Sequence, residues 1–125
     1  MRTFILFTLA ALATGCGTQS SLDRHLDEAY QYYERGDCDK TVLALSQAER
    51  RSRSRSYVQP EISLLRGQCL ERQGLFVDAA QTYQFIITRY PASEYAFRSR
   101  ARLETLRQLG HYQSSETVKA LPAKP

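Results

Sequence analysis

Between Leu22 and Gly110 the chain breaks into segments of helical length, each with apolar residues at helical spacing and each closed by glycine, proline or a polar loop. Leu22, Leu26, Ala29, Tyr30 and Tyr33 fall on one face of a first helix, which Gly36-Asp37 interrupts. Val42, Leu45 and Ala48 mark a second over about Asp39 to Arg51. Residues 52–59 read as a loop, and Pro60 suits the first turn of a third helix, where its missing N–H would have no partner anyway. Ile62, Leu65, Cys69 and Leu70 form the inner stripe of that helix, which ends near Gly74. A fourth covers about Phe76 to Arg89, because the residue ahead of Pro91 is pushed out of the α region. Ser93 is an N-cap residue for a fifth, closed by Gly110. With 6 Gly and 4 Pro in 125 residues, the chain is too poor in turn formers for an all-β protein. The spacing predicts a single all-α domain of about five antiparallel helices over residues 22–110, followed by a flexible tail over 111–125.

These segments also repeat. With Pro60 as position one of a unit, Gly67 is eighth, Leu70 eleventh, Gly74 fifteenth, Phe76 seventeenth, Ala79 twentieth, Tyr83 twenty-fourth and Pro91 thirty-second. This pattern resembles a tetratricopeptide repeat, in which small residues let two helices touch and aromatics fill the gaps between them. The same frame laid on Leu22 gives a more degenerate unit, with Ala29 eighth, Gly36 fifteenth and Leu45 twenty-fourth, but Thr41, His25 and Glu28 at positions where that family prefers other types. Laid on Glu94 it supplies only a first helix, with Ala101 eighth. The resemblance implies a short superhelix of about two and a half repeats. The run from Tyr83 to Ala96 is more narrowly similar to repeats of the lipoprotein of the outer-membrane β-barrel assembly machine and of the TolA-binding division coordinator.

The first fifteen residues have a different composition. Arg2 precedes an apolar run from Phe4 to Ala13, too short for a bilayer span, which needs ~20 residues, but suited to the core of a secretory signal. Ala13-Thr14-Gly15-Cys16 resembles a bacterial lipobox, which implies cleavage after residue 15 and acylation, palmitate included, at Cys16. Gly17 after the cysteine implies the outer membrane, periplasmic face, and residues 17–21 read as a short polar tether.

Export places the remaining thiols, Cys38 and Cys69, in an oxidising compartment. The repeat frame sets both at the same end of neighbouring helices, and a Cys38–Cys69 disulfide is expected from it. Two separate buried thiols are the competing reading.

Residues that could carry chemistry are sparse. His25 and His111 lie far apart, no Cys/His spacing suits zinc, and no nucleophile motif stands out, so neither an enzyme, a metal nor a cofactor is expected. In the repeat family the first helix of each unit lines a groove that binds partner peptides. Carried over at positions two, five, nine and twelve, its residues are Asp23, Leu26, Tyr30 and Tyr33, then Glu61, Leu64, Gln68 and Glu71, then Tyr95, Arg98, Arg102 and Thr105. The competing reading makes Leu26, Tyr30 and Tyr33 core. Arg50, Arg51, Arg53 and Arg55 alternate with serines and read either as a solvated helix end or as a patch for anionic lipid, lipopolysaccharide or an acidic partner. The net charge of +4 permits anionic partners, while export argues against nucleic acid. The expected function is therefore a lipid-anchored periplasmic adaptor that holds envelope proteins or peptides during envelope assembly or division. Binding of lipopolysaccharide or peptidoglycan through the arginines is the alternative. The uncapped last unit leaves self-association open.

Overall fold

The computed structural model describes residues 16–113. They form five α-helices, α1 (Cys16–Glu34), α2 (Cys38–Arg51), α3 (Gln59–Arg72), α4 (Phe76–Arg89) and α5 (Glu94–Gln108), with a single 3₁₀ turn at Ser56–Val58. There is no strand among the described residues. The fold is all-α, as the spacing of apolar residues predicts. Expectations for residues 1–15 and 114–125 lie outside the described region.

The odd-numbered helices end in the same way. Gly36, Gly74 and Gly110 all take φ values of 75° to 78°, in the left-handed region that only glycine enters freely. At each, the glycine N–H reaches back to a carbonyl of the last turn, from Tyr33, Glu71 or Arg107. The following N–H reaches one residue further back, to Tyr32, Leu70 or Leu106, at 2.9 Å in all three cases. These bonds satisfy carbonyls that a helix end leaves orphaned and turn the chain sharply. Two helices start on side-chain caps: Asp37 Oδ1 accepts from the Lys40 N–H at 3.0 Å, and Ser93 Oγ accepts from the Ala96 N–H at 3.1 Å.

Packing falls into two clusters. Leu22, Ala29, Leu45 and Ala48 of the first hairpin close on Val58, Ile62 and Leu65. Leu64 of α3 turns to the other side, against Ala79, Tyr83 and Ile86 of α4 and Ala96, Leu103 and Leu106 of α5. Helix α3 thus serves both clusters, and it buries residues nearly all round. Its contact with α4 is set by Gly67, where an added Cβ would stand 2.7 Å from the Tyr83 ring. A disulfide joins Cys38 at the start of α2 to Cys69 near the end of α3, with Cα atoms 5.4 Å apart.

Two sequence-based expectations need correcting. Residues 17–21 belong to α1, so they are not an extended tether; as helix they rise only ~1.5 Å each, because every backbone N–H beyond the first turn finds its carbonyl. The start of the expected tail is also ordered by contacts. His111 stacks on Phe76 with ring centroids 3.8 Å apart, and Tyr112 packs against the second cluster.

Candidate functional site

Helices α1, α3 and α5 lie side by side and present one shared face, built around two carboxylates of α3. Glu71 has a side chain only 8% exposed and is the centre of the better-defined half. It accepts a bidentate pair from Arg102 of α5, at 2.9 Å from Nε and 2.8 Å from Nη2, and a hydrogen bond from the Tyr83 hydroxyl of α4 at 2.9 Å. A planar guanidinium matches a carboxylate in this two-point geometry, so one buried charge orients three helices. Burial, then the Glu71 carboxylate, pushes the Tyr83 hydroxyl well above the ordinary tyrosine range. The hydrogen bonds that Arg102 donates to Glu71 raise the guanidinium further above its ordinary range.

Glu61, about three turns nearer the start of α3, centres the other half. It accepts from the Tyr30 hydroxyl of α1 at 2.8 Å. Burial raises the Tyr30 hydroxyl, and Glu61 adds to the rise; burial and the same carboxylate also raise Tyr95 of α5. Arg98 stands near the Tyr95 ring, 6.0 Å from its centroid. On α1, Tyr33 carries the Arg72 guanidinium over its ring at 3.6 Å, a cation–π contact that links α1 to the end of α3. A cleft of about 310 Å³ opens between these groups, lined by Tyr33, Gln68, Glu71, Arg72, Phe76 and Arg102 together with Leu106, Leu109 and His111.

The expected groove residues are therefore largely gathered on one face: Tyr30, Tyr33, Gln68, Glu71, Tyr95, Arg98 and Arg102. Two are placed differently. Leu64 is 2% exposed and belongs to the second cluster, because α3 is enclosed by α4 and α5 on that side. Leu26 packs partly buried against the first cluster, and Tyr30 and Tyr33 do so too while keeping part of their surface on the shared face, so the competing core reading holds in part for all three. Arg72, Phe76 and His111 were missed by sequence reasoning. They lie at the ends of helices, where a three-dimensional turn rather than a periodic position brings them to the cleft.

The four arginines of the α2–α3 connection lie elsewhere. Arg50 and Arg51 close α2, Arg53 is exposed, and Arg55 is half-buried, with Nη1 enclosed and without a hydrogen-bond partner among the described residues. Among the described residues no group of three or more His, Cys, Asp or Glu gathers to hold a metal, and no helix is long and apolar enough to cross a membrane. Set against protein-family models, curated proteins and solved structures, the chain matches none.

Proposed function

We propose that this chain is an adaptor of the bacterial envelope, anchored by lipid at Cys16 on the periplasmic side of the outer membrane, and that the face of α1, α3 and α5 holds segments of partner proteins. The observation that carries this reading is the tyrosine–arginine face itself. Tyr30, Tyr33, Tyr95 and Arg102 are half-buried and Arg98 is exposed, all on helices pinned by Glu61 and Glu71. Tyrosine and arginine are the residue types that protein interfaces concentrate, since each offers large contact area together with a hydrogen-bonding tip. Holding them on a rigid framework lowers the entropy lost on binding. A partner segment with apolar side chains would lie against the rings, and its carboxylates would face Arg98 and Arg102. The lipobox-like Ala13–Cys16 and the tetratricopeptide-like spacing support the compartment and the module type.

The test is a crosslinking pulldown of the lipidated protein from envelopes, compared with a Tyr33→Ala, Arg98→Ala double variant. Both side chains are at least partly exposed, so the fold should survive. We expect protein partners enriched by the native chain and lost from the variant. Partners retained by a folded variant would remove this face from the function.

A further inference from the structure

The arginine-rich turn lies at the end of the molecule from which α1 starts. Gly36 and Asp37 join α1 and α2 tightly, so α2 runs back antiparallel and brings Arg50 and Arg51 to about the level of Leu22, in the first half of α1. Leu22, Ala48 and Val58 share one buried cluster, which fixes this proximity, and Cys16 is less than two helical turns ahead of Leu22. The end of α4 arrives there too: Tyr90 lines a cavity of about 420 Å³ with Arg50, Arg53, Ser56 and Gln59. The disulfide and the three glycine caps are at the opposite end.

Arginine is concentrated at this end. None of Arg50, Arg51, Arg53 and Arg55 has an ion-pair partner among the described residues. Of the carboxylates at this end, Glu49 is engaged by Arg66 at 3.0 Å and by Gln59 at 2.9 Å, Glu94 by Arg98 at 3.8 Å, and Glu61 by the Tyr30 hydroxyl at 2.8 Å. Asp23 is exposed, but Arg24 beside it offsets its charge. Among the arginines Tyr57 is 69% exposed, an aromatic ring with a polar tip held out into solvent.

We infer that this end of the molecule docks on an anionic lipid surface, with headgroup phosphates taken by Arg50, Arg51 and Arg53 and Tyr57 seated at headgroup level. Guanidinium groups pair with phosphate in two-point geometry, and basic clusters are drawn to anionic leaflets over about a Debye length. Tyrosine favours the interface because its ring is apolar and its hydroxyl stays wet. Arginines, Tyr57 and the start of α1 share one end of the helical stack, the arrangement a plane requires. Docked this way, the helices stand on the surface, and the tyrosine–arginine face runs up the side, open to partners. The inference stands on the placement of these residues and is independent of both acylation and the adaptor reading.

The experiment is co-sedimentation of residues 16–125, which contain every described helix, carrying Cys16→Ser so that no acyl chain contributes. The vesicles are phosphatidylcholine alone, or about one part phosphatidylglycerol to three of phosphatidylcholine. We expect binding to the mixed vesicles only, weakening as salt screens the charges. Arg50→Gln, Arg51→Gln and Arg53→Gln together should lower partitioning by about fivefold per arginine, or on the order of a hundredfold. Arg35→Gln, in the turn at the opposite end, should leave it within about twofold, because a charge beyond the Debye length is screened. Equal binding to both vesicles, a triple variant that binds like the native chain, or an equal loss with Arg35→Gln would overturn the inference. Release by inorganic phosphate at constant ionic strength would overturn it in favour of an isolated phosphate site.

Discussion

At the scale of single residues, Gly67 and Glu49 show how little separates a helix position from a structural constraint. In a free helix Gly67→Ala would gain up to ~1 kcal/mol of helix propensity. Here the new methyl meets the fully buried Tyr83 ring at 2.7 Å, and the ring is tied by its hydrogen bond to Glu71. Overpacking of this kind costs about 1–3 kcal/mol, so with the propensity gain set against it we expect a net loss of up to about 2 kcal/mol in urea unfolding. Glu49 gives a pH prediction. Burial pushes its carboxyl up, but hydrogen bonds from Arg66 and Gln59 outweigh burial and hold it below its ordinary 4.5. A depressed folded value stabilises the protein above the unfolded value, and that contribution fades as pH falls through the folded one. Stability should therefore decline as the pH drops below about 4.5. The Glu49→Gln variant should show a shallower decline between pH 5 and pH 3; an identical slope would remove Glu49 from the acid response.

At the scale of elements, the helices were readable because each rule acts within a few residues. Ser93 caps α5, Gly74 and Gly110 close α3 and α5, and α4 stops at Arg89, ahead of Pro91. The 3₁₀ turn at Ser56–Val58 was not readable, since Ser-Tyr-Val has no helical period and is held by the burial of Val58 in the first cluster. The Cys38–Cys69 bridge belongs at this scale too. It closes a loop with a sequence separation of 31, worth about 3.7 kcal/mol in the chain-entropy treatment. Cys38→Ala with Cys69→Ala should lower unfolding stability by about 3–4 kcal/mol, and amide exchange should rise more in α1–α2 than in α3–α5. The reason is that the first cluster depends on α3, to which the bridge ties α2, whereas the second has α3, α4 and α5 packed in sequence. Equal exchange in both halves would show that the clusters open together.

At the scale of the whole molecule, α5 is covered on one side only by the described residues. Ala29 and Gly67 are buried where a second helix packs on their own, but the equivalent Ala101 is exposed, and Phe97 one turn earlier is 71% exposed. A substitution on this open face should cost little: Phe97→Ser should change unfolding stability by no more than about 0.5 kcal/mol. A loss that grows with protein concentration would instead show a second copy covering it. With one side of α5 open among the described residues, its hold on the rest of the fold rests partly on Glu71. Arg102 anchors it to α3, and the cleft beside Tyr33 is bounded by that ion pair.

The sequence by itself determined the helices, their stops and the repetition of the glycine cap, because backbone sterics and hydrogen bonding act within a few residues. It also gathered most of the tyrosine–arginine face, since positions two, five, nine and twelve of a helix return to the same side. Tertiary structure decided which of those side chains point outward. Leu64 went into the core and Leu26 partly so, while Arg72, Phe76 and His111 entered the cleft from helix ends and turns. Exposure depends on which neighbour covers a face, and neighbours are set by packing between segments far apart in the chain. The pairing of the arginine turn with the start of α1 is of the same kind: more than thirty residues separate them in sequence, and only the antiparallel return of α2 brings them together.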